Sequence, residues 1–449
     1  MPKARYKQVV DRLKAAIHSG QLAPGTRLPT HRRLAEEHGL ALATASRVYA
    51  ELEAMGLVSG ETGRGTFVRE NALPRGLGVE QQDIVEGVVD LNFNYPILPG
   101  QADLLRSGLR QLAAAGDLQA LLRYQPHAGR LHERAAVARY LHTHDVPARA
   151  EQVLITNGAQ HGLAISLLSR LRAGDVVAAD ALTYPGFKVL AAALGIECVP
   201  LAAGDQGPDL GALARACSTR PVRAVYCMPT VHNPLGWVMP LEQRQRLVAI
   251  ARTHDLTLIE DAAYAYLAAA PAPPLAQLAP ERTLYVCGLS KSVATGLRIG
   301  FVAAPLAWVP ALERMIRATT WNTPGVLTAL ATAWLEDGTV ARLEAHKRED
   351  ASRRQTIARD VLQGLSYLSH PASYFIWLPL AEDARADQVA MALLNAGICV
   401  ATAEPFTVGA QVPHALRLAL GSVPLATLRV ALLAVRQVVE GAQVGVYRR

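Results

Sequence analysis

Apolar positions recur at intervals of three and four in Tyr6, Val9, Val10, Leu13 and Ile17, which predicts an amphipathic helix over residues 6–17, ended by Gly20 and Pro24-Gly25. A second helix is predicted over residues 32–38, with Thr30 as its cap and Gly39 as its stop. A third runs over 43–55, with Val48, Leu52 and Met55 on one face and Gly56 after it. Residues 58–68 then read as two short strands around a glycine-rich turn at 60–65. Three helices and a hairpin make a winged helix-turn-helix, residues 1–69. Residues 70–89 hold no sustained period, carry Asn71, Pro74, Gly76 and Gly78, and read as a linker. Asp90 and the residues after it to Pro99 read as an extended arm.

From about residue 100 the period itself alternates. Helical stretches at 102–115, 131–142 and 159–171 are interspersed with short apolar runs at 153–156, 176–179, 224–228, 257–260, 283–287 and 299–303. That alternation predicts an α/β region, about 100–330, built on a mostly parallel, doubly wound sheet. The rest, about 330–449, predicts a small α/β unit: a charged helix over 335–363, strands at 374–378, 398–401 and 415–420, and helices at 389–395 and 425–439.

Charge changes this picture at one end. The net charge is +7, and residues 1–69 hold +5 of it. A small basic domain implies a polyanion partner. The five cysteines, Cys198, Cys217, Cys227, Cys287 and Cys399, are odd in number and form no CxxC. They fit reduced core cysteines rather than a disulfide or zinc framework. The histidines show no metal-ligand spacing. The first residues carry no apolar signal segment, and no apolar run reaches about 18 residues. The expectation is a soluble, cytoplasmic protein with no membrane partner.

Ligands of a doubly wound sheet lie beyond the carboxyl ends of its strands. There, Asn157-Gly158-Ala159-Gln160 opens a helix whose N–H groups can hold a phosphate. Tyr184, in Thr183-Tyr184-Pro185-Gly186, offers a ring for stacking on a planar ligand. Asn233 follows the run at 224–228, Asp261 and Tyr264 follow 257–260, and Ser290-Lys291 follows 283–287. Arg298 stands alone before the next apolar run and suits an anion such as a phosphate. An uncharged lysine amine condenses with carbonyl compounds, pyridoxal 5'-phosphate (PLP) among them. Each residue is unremarkable alone, since Asp261 reads equally as a helix cap and Asn233-Pro234 as a turn. Their succession at one strand end after another is not.

Residues 20–68 resemble the DNA-binding domain of GntR-type bacterial regulators through Leu28-Pro29, Arg32-Arg33-Leu34-Ala35, Glu53-Ala54-Met55-Gly56-Leu57-Val58 and Gly63-Arg64-Gly65-Thr66-Phe67-Val68. The resemblance implies that Arg32, Thr44 and Arg47 contact phosphates or base edges, and that Arg64 and Gly65 at the wing tip approach the minor groove or the backbone. The chain departs from the usual Ser-Arg at Ala41-Leu42. Residues from roughly 120 to 430 resemble fold-type I PLP-dependent aminotransferases, and the whole chain resembles the MocR subfamily of GntR regulators. By that resemblance Lys291 forms a Schiff base with PLP, and Asp261 pairs with the ring nitrogen. Asn233 and Tyr264 bond the ring oxygen, and Tyr184 stacks on the ring. Gly158, Ala159, Ser290 and Arg298 hold the phosphate. Tyr124 reaches the phosphate of the partner subunit in a homodimer, and Arg417 clamps the α-carboxylate of an amino acid. Four departures stand out: Gly288 where a hydroxyl is usual three residues before the lysine, Leu235 for threonine, Leu182 for proline, and Glu133 for leucine.

The expectation is a PLP-dependent, DNA-binding transcriptional regulator that senses PLP or a small amine or amino acid at Lys291 and acts on a double-stranded operator. Two other functions stay open at this point: a working aminotransferase with an appended DNA-binding domain, and a scaffold that no longer binds PLP.

Overall fold

The computed structural model describes residues 5–443, apart from residues 19–20, 24, 55–56, 62–63, 69–86, 116, 205, 382–383 and 410. Most of the predicted linker falls at 69–86 and lies outside the described residues. Among those residues, no helix is long and apolar enough to cross a membrane, and no group of His, Cys, Asp and Glu could hold a metal ion.

The N-terminal helices α1 (Arg5–His18), α2 (His31–His38) and α3 (Leu42–Ala54) precede an antiparallel hairpin, β1 (Val58–Glu61) and β2 (Gly65–Val68). Thr30 caps α2 by accepting from Arg33 N, and Gly39 ends it in the left-handed region. The core holds Val9, Val10, Val48 and Leu52 of the predicted faces together with Leu34 and Val68, while Met55, predicted beside them, lies outside the described residues.

After β3 (Val89–Leu91) come β4 (Val153–Thr156), β5 (Val176–Asp180), β6 (Glu197–Leu201), the two-residue ribbon β7 (Ala203–Gly204) and β8 (Gly207–Pro208), β9 (Val222–Cys227), β10 (Thr257–Asp261), β11 (Thr283–Gly288) and β12 (Gly300–Ala303). Seven of these form one sheet, in the order β4-β12-β11-β10-β9-β5-β6. Only β12 runs antiparallel to its neighbours. The eleven-residue connection from Leu289 to Ile299 is shorter than the dozen or more residues a parallel crossover needs, so the chain returns beside β11 in the opposite sense. Leu154, Val286 and Val302 point into one core, whereas Val153, Ile155, Cys287 and Phe301 point into the other, so helices cover both faces.

The small unit is a four-stranded sheet, β13 (Phe375–Pro379), β15 (Ala415–Ala419), β14 (Ile398–Thr402) and β3, in that order. Here two expectations are corrected. The arm from Asp90 begins as a strand, since Val89–Leu91 pairs parallel with β14; three residues are too few to show a period of two. The long charged helix is two helices, Gly325–Glu336 and Thr339–Val361, because Gly338 between them sits at φ 76°. The hairpin of the N-terminal domain also meets the small unit. The Arg385 guanidinium lies 4.3 Å from the centre of the Phe67 ring on β2, and it pairs with buried Asp387 at 3.1 Å.

Candidate functional site

A cavity of about 250 Å³ opens at the carboxyl ends of β4, β9, β10 and β11. Gly158, named on sequence for the phosphate, does not line it and stands behind Arg298, which does. Ala159, Tyr184, Asn233, Asp261, Tyr264, Ser290, Lys291, Arg298 and Arg417, far apart along the chain, all line it. Tyr124 does not line it: its side chain is 83 % exposed and stands against the Trp321 ring, 5.5 Å away.

The end of the cavity at Arg298 is packed against glycine backbone. Gly158 adopts φ 80°, and a Cβ placed on it would come within 2.8 Å of Arg298 Nη2. A Cβ on Gly300 would fall 2.4 Å from the Gly158 carbonyl carbon, and one on Gly288 would fall 2.8 Å from Ile299 O. Gly288 therefore stands where no side chain fits, which accounts for the missing hydroxyl. Arg298 itself is held at φ 50°, a conformation costly for a side-chain-bearing residue, and Nη1 donates to Ser290 Oγ at 3.3 Å. The start of the helix Gly158–Arg170 and the Arg298 guanidinium thus face one point, as a phosphate requires.

The other end is built from buried polar groups. Asp261 ends β10 at 2 % exposure, with Oδ2 accepting from Tyr226 Oη at 2.7 Å and Oδ1 from Ala263 N at 3.0 Å. Burial raises its carboxyl above the usual range, against the pull of the Tyr226 hydrogen bond. Tyr226 was not anticipated, since in an apolar strand it reads as core; its hydroxyl is pushed well up by burial and by Asp261. Burial lifts the Tyr184 hydroxyl to about 12, helped by Asp261. Lys291 Nζ donates to Asn94 O, 3.1 Å away on the arm that follows β3. Arg417 Nη1 donates to Asn92 O on the same arm at 2.7 Å, and burial lowers its pKa.

A second lysine was not anticipated. Lys347, fully buried on the helix Thr339–Val361, donates to Pro96 O at 2.7 Å, Val293 O at 2.7 Å and Lys291 O at 3.1 Å. It ties the arm to the lysine loop. Burial, with Lys291 nearby, lowers its pKa to about 7. Glu133, the departure in segment 129–134, turns inward at 2 % exposure and accepts from Arg130 N at 2.9 Å, capping the helix Leu131–His142.

The chemistry of this set fits PLP. Among the described residues, buried Asn233 Oδ1, Asn94 Nδ2 and Arg417 Nε have no protein partner. One acceptor and two N–H donors are thus left for a ligand that carries both acceptor oxygens and an O–H or N–H donor.

On the N-terminal domain, Arg32 and Arg47 are exposed, while Thr44, Arg64 and Gly65 are half-buried. Arg47 lies over the Tyr6 ring at 4.7 Å. A Cβ on Gly65, at φ 121°, would come within 2.9 Å of Arg27 Nε, so Arg27 lies across the wing and joins the basic residues named on sequence.

Comparison with known proteins agrees with both halves. Residues 5–68 match the family of bacterial regulatory proteins named gntR, and residues 86–435 match aminotransferase class I and II. The chain is 28 % identical to the HTH-type transcriptional regulator YdeF of Bacillus subtilis, over 92 % of this chain and 89 % of that one. It is 25 % identical to the HTH-type pyridoxine biosynthesis transcriptional regulator PdxR of Corynebacterium glutamicum, over 95 % and 94 %. Among solved structures, the α-aminoadipate aminotransferase LysN of Thermus thermophilus, complexed with N-(5'-phosphopyridoxyl)-L-leucine, superposes with a TM-score of 0.73 at 24 % identity, covering 80 % of this chain and 94 % of that one.

Proposed function

Because the chain belongs to the aminotransferase class I and II family, joined to a GntR-type helix-turn-helix domain in the MocR arrangement of transcriptional regulators, we propose that it binds operator DNA as a homodimer and senses PLP, or an amine or amino acid presented to PLP, at Lys291. The observation that carries this reading is the convergence of Lys291, Asp261, Arg298 and Arg417 on one cavity. PLP supplies an aldehyde for the lysine amine and a ring that withdraws electrons when its nitrogen is protonated. The chain's own groups do the rest. Asp261, held by Tyr226, keeps the proton on the ring nitrogen. Asn233 and Tyr264 bond the ring oxygen, and Tyr184 covers the ring. The Gly158 and Ala159 end of the helix, Ser290 and Arg298 hold the phosphate. Arg417 offers a planar fork to an effector carboxylate. Exposed Tyr124 extends to the phosphate of the second copy.

The signal leaves the site through the arm. Lys291 Nζ and Arg417 bond the carbonyls of Asn94 and Asn92. The arm continues from β3, which pairs with β14. The helix Ala386–Asn395 leads into β14, and Arg385 at its start rests on Phe67 of the wing. An effector amine that took the place of Lys291 on PLP would return Nζ to the free amine that donates to Asn94 O, a bond that Lys291 joined to PLP would give up, so the arm and the small sheet would be held differently against the wing in the two states. Fluorescence anisotropy of operator duplex, with and without PLP and candidate amines, tests this. Ligand-dependent affinity that vanishes in Lys291→Ala is expected. Unchanged ligand dependence in that variant refutes sensing at Lys291. Turnover near typical enzyme rates, about 10 per second, would instead mark a working aminotransferase.

A further inference from the structure

The first turn of α3 is apolar where it meets solvent. Ala41, Leu42 and Ala43 are all exposed, Leu42 by 49 %. The same helix buries Ala45, Val48, Tyr49 and Leu52 in the domain core, so the outward leucine does no packing work there. Its surroundings are polar and basic. Arg47 is exposed further along the helix, Arg32 is exposed on α2, and residues 1–69 carry a net +5. Ser46, one turn on from Leu42, is already engaged with His31 Nδ1 at 2.9 Å. In a helix-turn-helix, the N-terminal residues of the second motif helix face base edges in the major groove. Arginine or lysine there reads guanine, asparagine or glutamine reads adenine, and carboxylates read cytosine. Alanine and leucine can make none of those bonds. The feature of a base edge that apolar side chains recognise is the C5-methyl group of thymine.

We propose that Leu42, flanked by Ala41 and Ala43, is a specificity residue that reads a thymine methyl in the major groove. Each operator half-site then carries thymine beneath the first turn of α3, where an arginine at this position would specify guanine. The inference rests on the DNA binding proposed above and names the base that binding selects. Arg47 and Arg32 supply sequence-independent attraction to the phosphates, and the leucine supplies discrimination.

The test begins with selection of duplexes from a randomised library by the purified full-length chain. Each thymine of the selected half-site is then replaced singly by deoxyuridine, which removes the methyl and nothing else. For the wild-type chain, one position per half-site is expected to lose about fourfold in affinity, the worth of one buried methyl. In Leu42→Ala the loss at that position falls below twofold, while the salt dependence of binding is unchanged. In Leu42→Arg, selection moves to guanine at the same position. A half-site without thymine, or deoxyuridine substitutions without effect, or an equal effect in Leu42→Ala, overturns the inference while leaving DNA binding intact. If no duplex is enriched at all, DNA binding itself fails and the inference falls with it.

Discussion

Gly158→Ala separates the geometry of the phosphate site from ordinary backbone strain. At φ 80°, alanine meets the left-handed penalty of about 1–2 kcal/mol, offset by roughly 0.4–1 kcal/mol of lost freedom in the unfolded chain. The net loss of stability is about 1 kcal/mol. The new methyl would also stand 2.8 Å from Arg298 Nη2 and 3.0 Å from Cζ. A guanidinium is the far end of a flexible side chain, so it retreats at small cost to folding. Its retreat takes it off the phosphate, and a hydrogen bond to a charged group contributes about 1.5–3 kcal/mol. PLP affinity should therefore fall roughly 10- to 150-fold. Gly174 provides the control: it sits at φ 89°, and a Cβ placed on it would meet nothing within 4 Å. Gly174→Ala should lose the same stability and keep wild-type PLP affinity. Urea unfolding and PLP titration by absorbance measure both quantities. Wild-type affinity in Gly158→Ala, or an equal loss in Gly174→Ala, would refute the assignment of Gly158 and Arg298 to the phosphate.

Three further outcomes follow from the same contacts. Glu260, 1 % exposed, has its carboxyl pushed up to about 7, chiefly by burial and against the pull of Arg244. The folded state thus binds more protons than the unfolded between about pH 4.5 and 7, so its contribution is fully present below about 4.5 and is lost as pH rises to 7. Glu260→Gln, which keeps an acceptor for Ala276 N, should remove that slope, on the order of 3 kcal/mol, from urea unfolding of the PLP-free chain. Arg417→Leu should weaken amino-acid binding roughly 10- to 150-fold by calorimetry while PLP binding persists. Arg385→Ala removes a stack worth about 0.5–1 kcal/mol and should raise hydrogen exchange at residues 66–68 about two- to fivefold.

Most strands of the large sheet, and the loops that bring Asp261 and Lys291 to one cavity, were legible because each apolar run is short and ends in polar residues of unusual kind. What escaped did so for physical reasons. Tyr226 looks like a core residue until its hydroxyl is found 2.7 Å from Asp261. Lys347 sits in a helix whose charges suggest a solvated face, yet it is buried against three carbonyls contributed by residues far away in sequence. The direction of β12 depends on the length of a connection rather than on a pattern. The break at Gly338 carried a local signal, Asp337-Gly338, that the charged periodicity on its C-terminal side outweighed. The half-buried strand β6, with Glu197 and Pro200 in it, shows no alternation to read.

The central claim is that this cavity holds PLP on Lys291. The most direct measurement is the near-ultraviolet and visible spectrum of the purified chain supplied with PLP, followed by borohydride reduction and peptide mapping. A violet absorption band, with a reduced pyridoxyl group mapped to Lys291, is the predicted result. No band after PLP is added, or a label distributed over surface lysines and absent from Lys291, would contradict the account and leave an aminotransferase-shaped scaffold beside a DNA-binding domain.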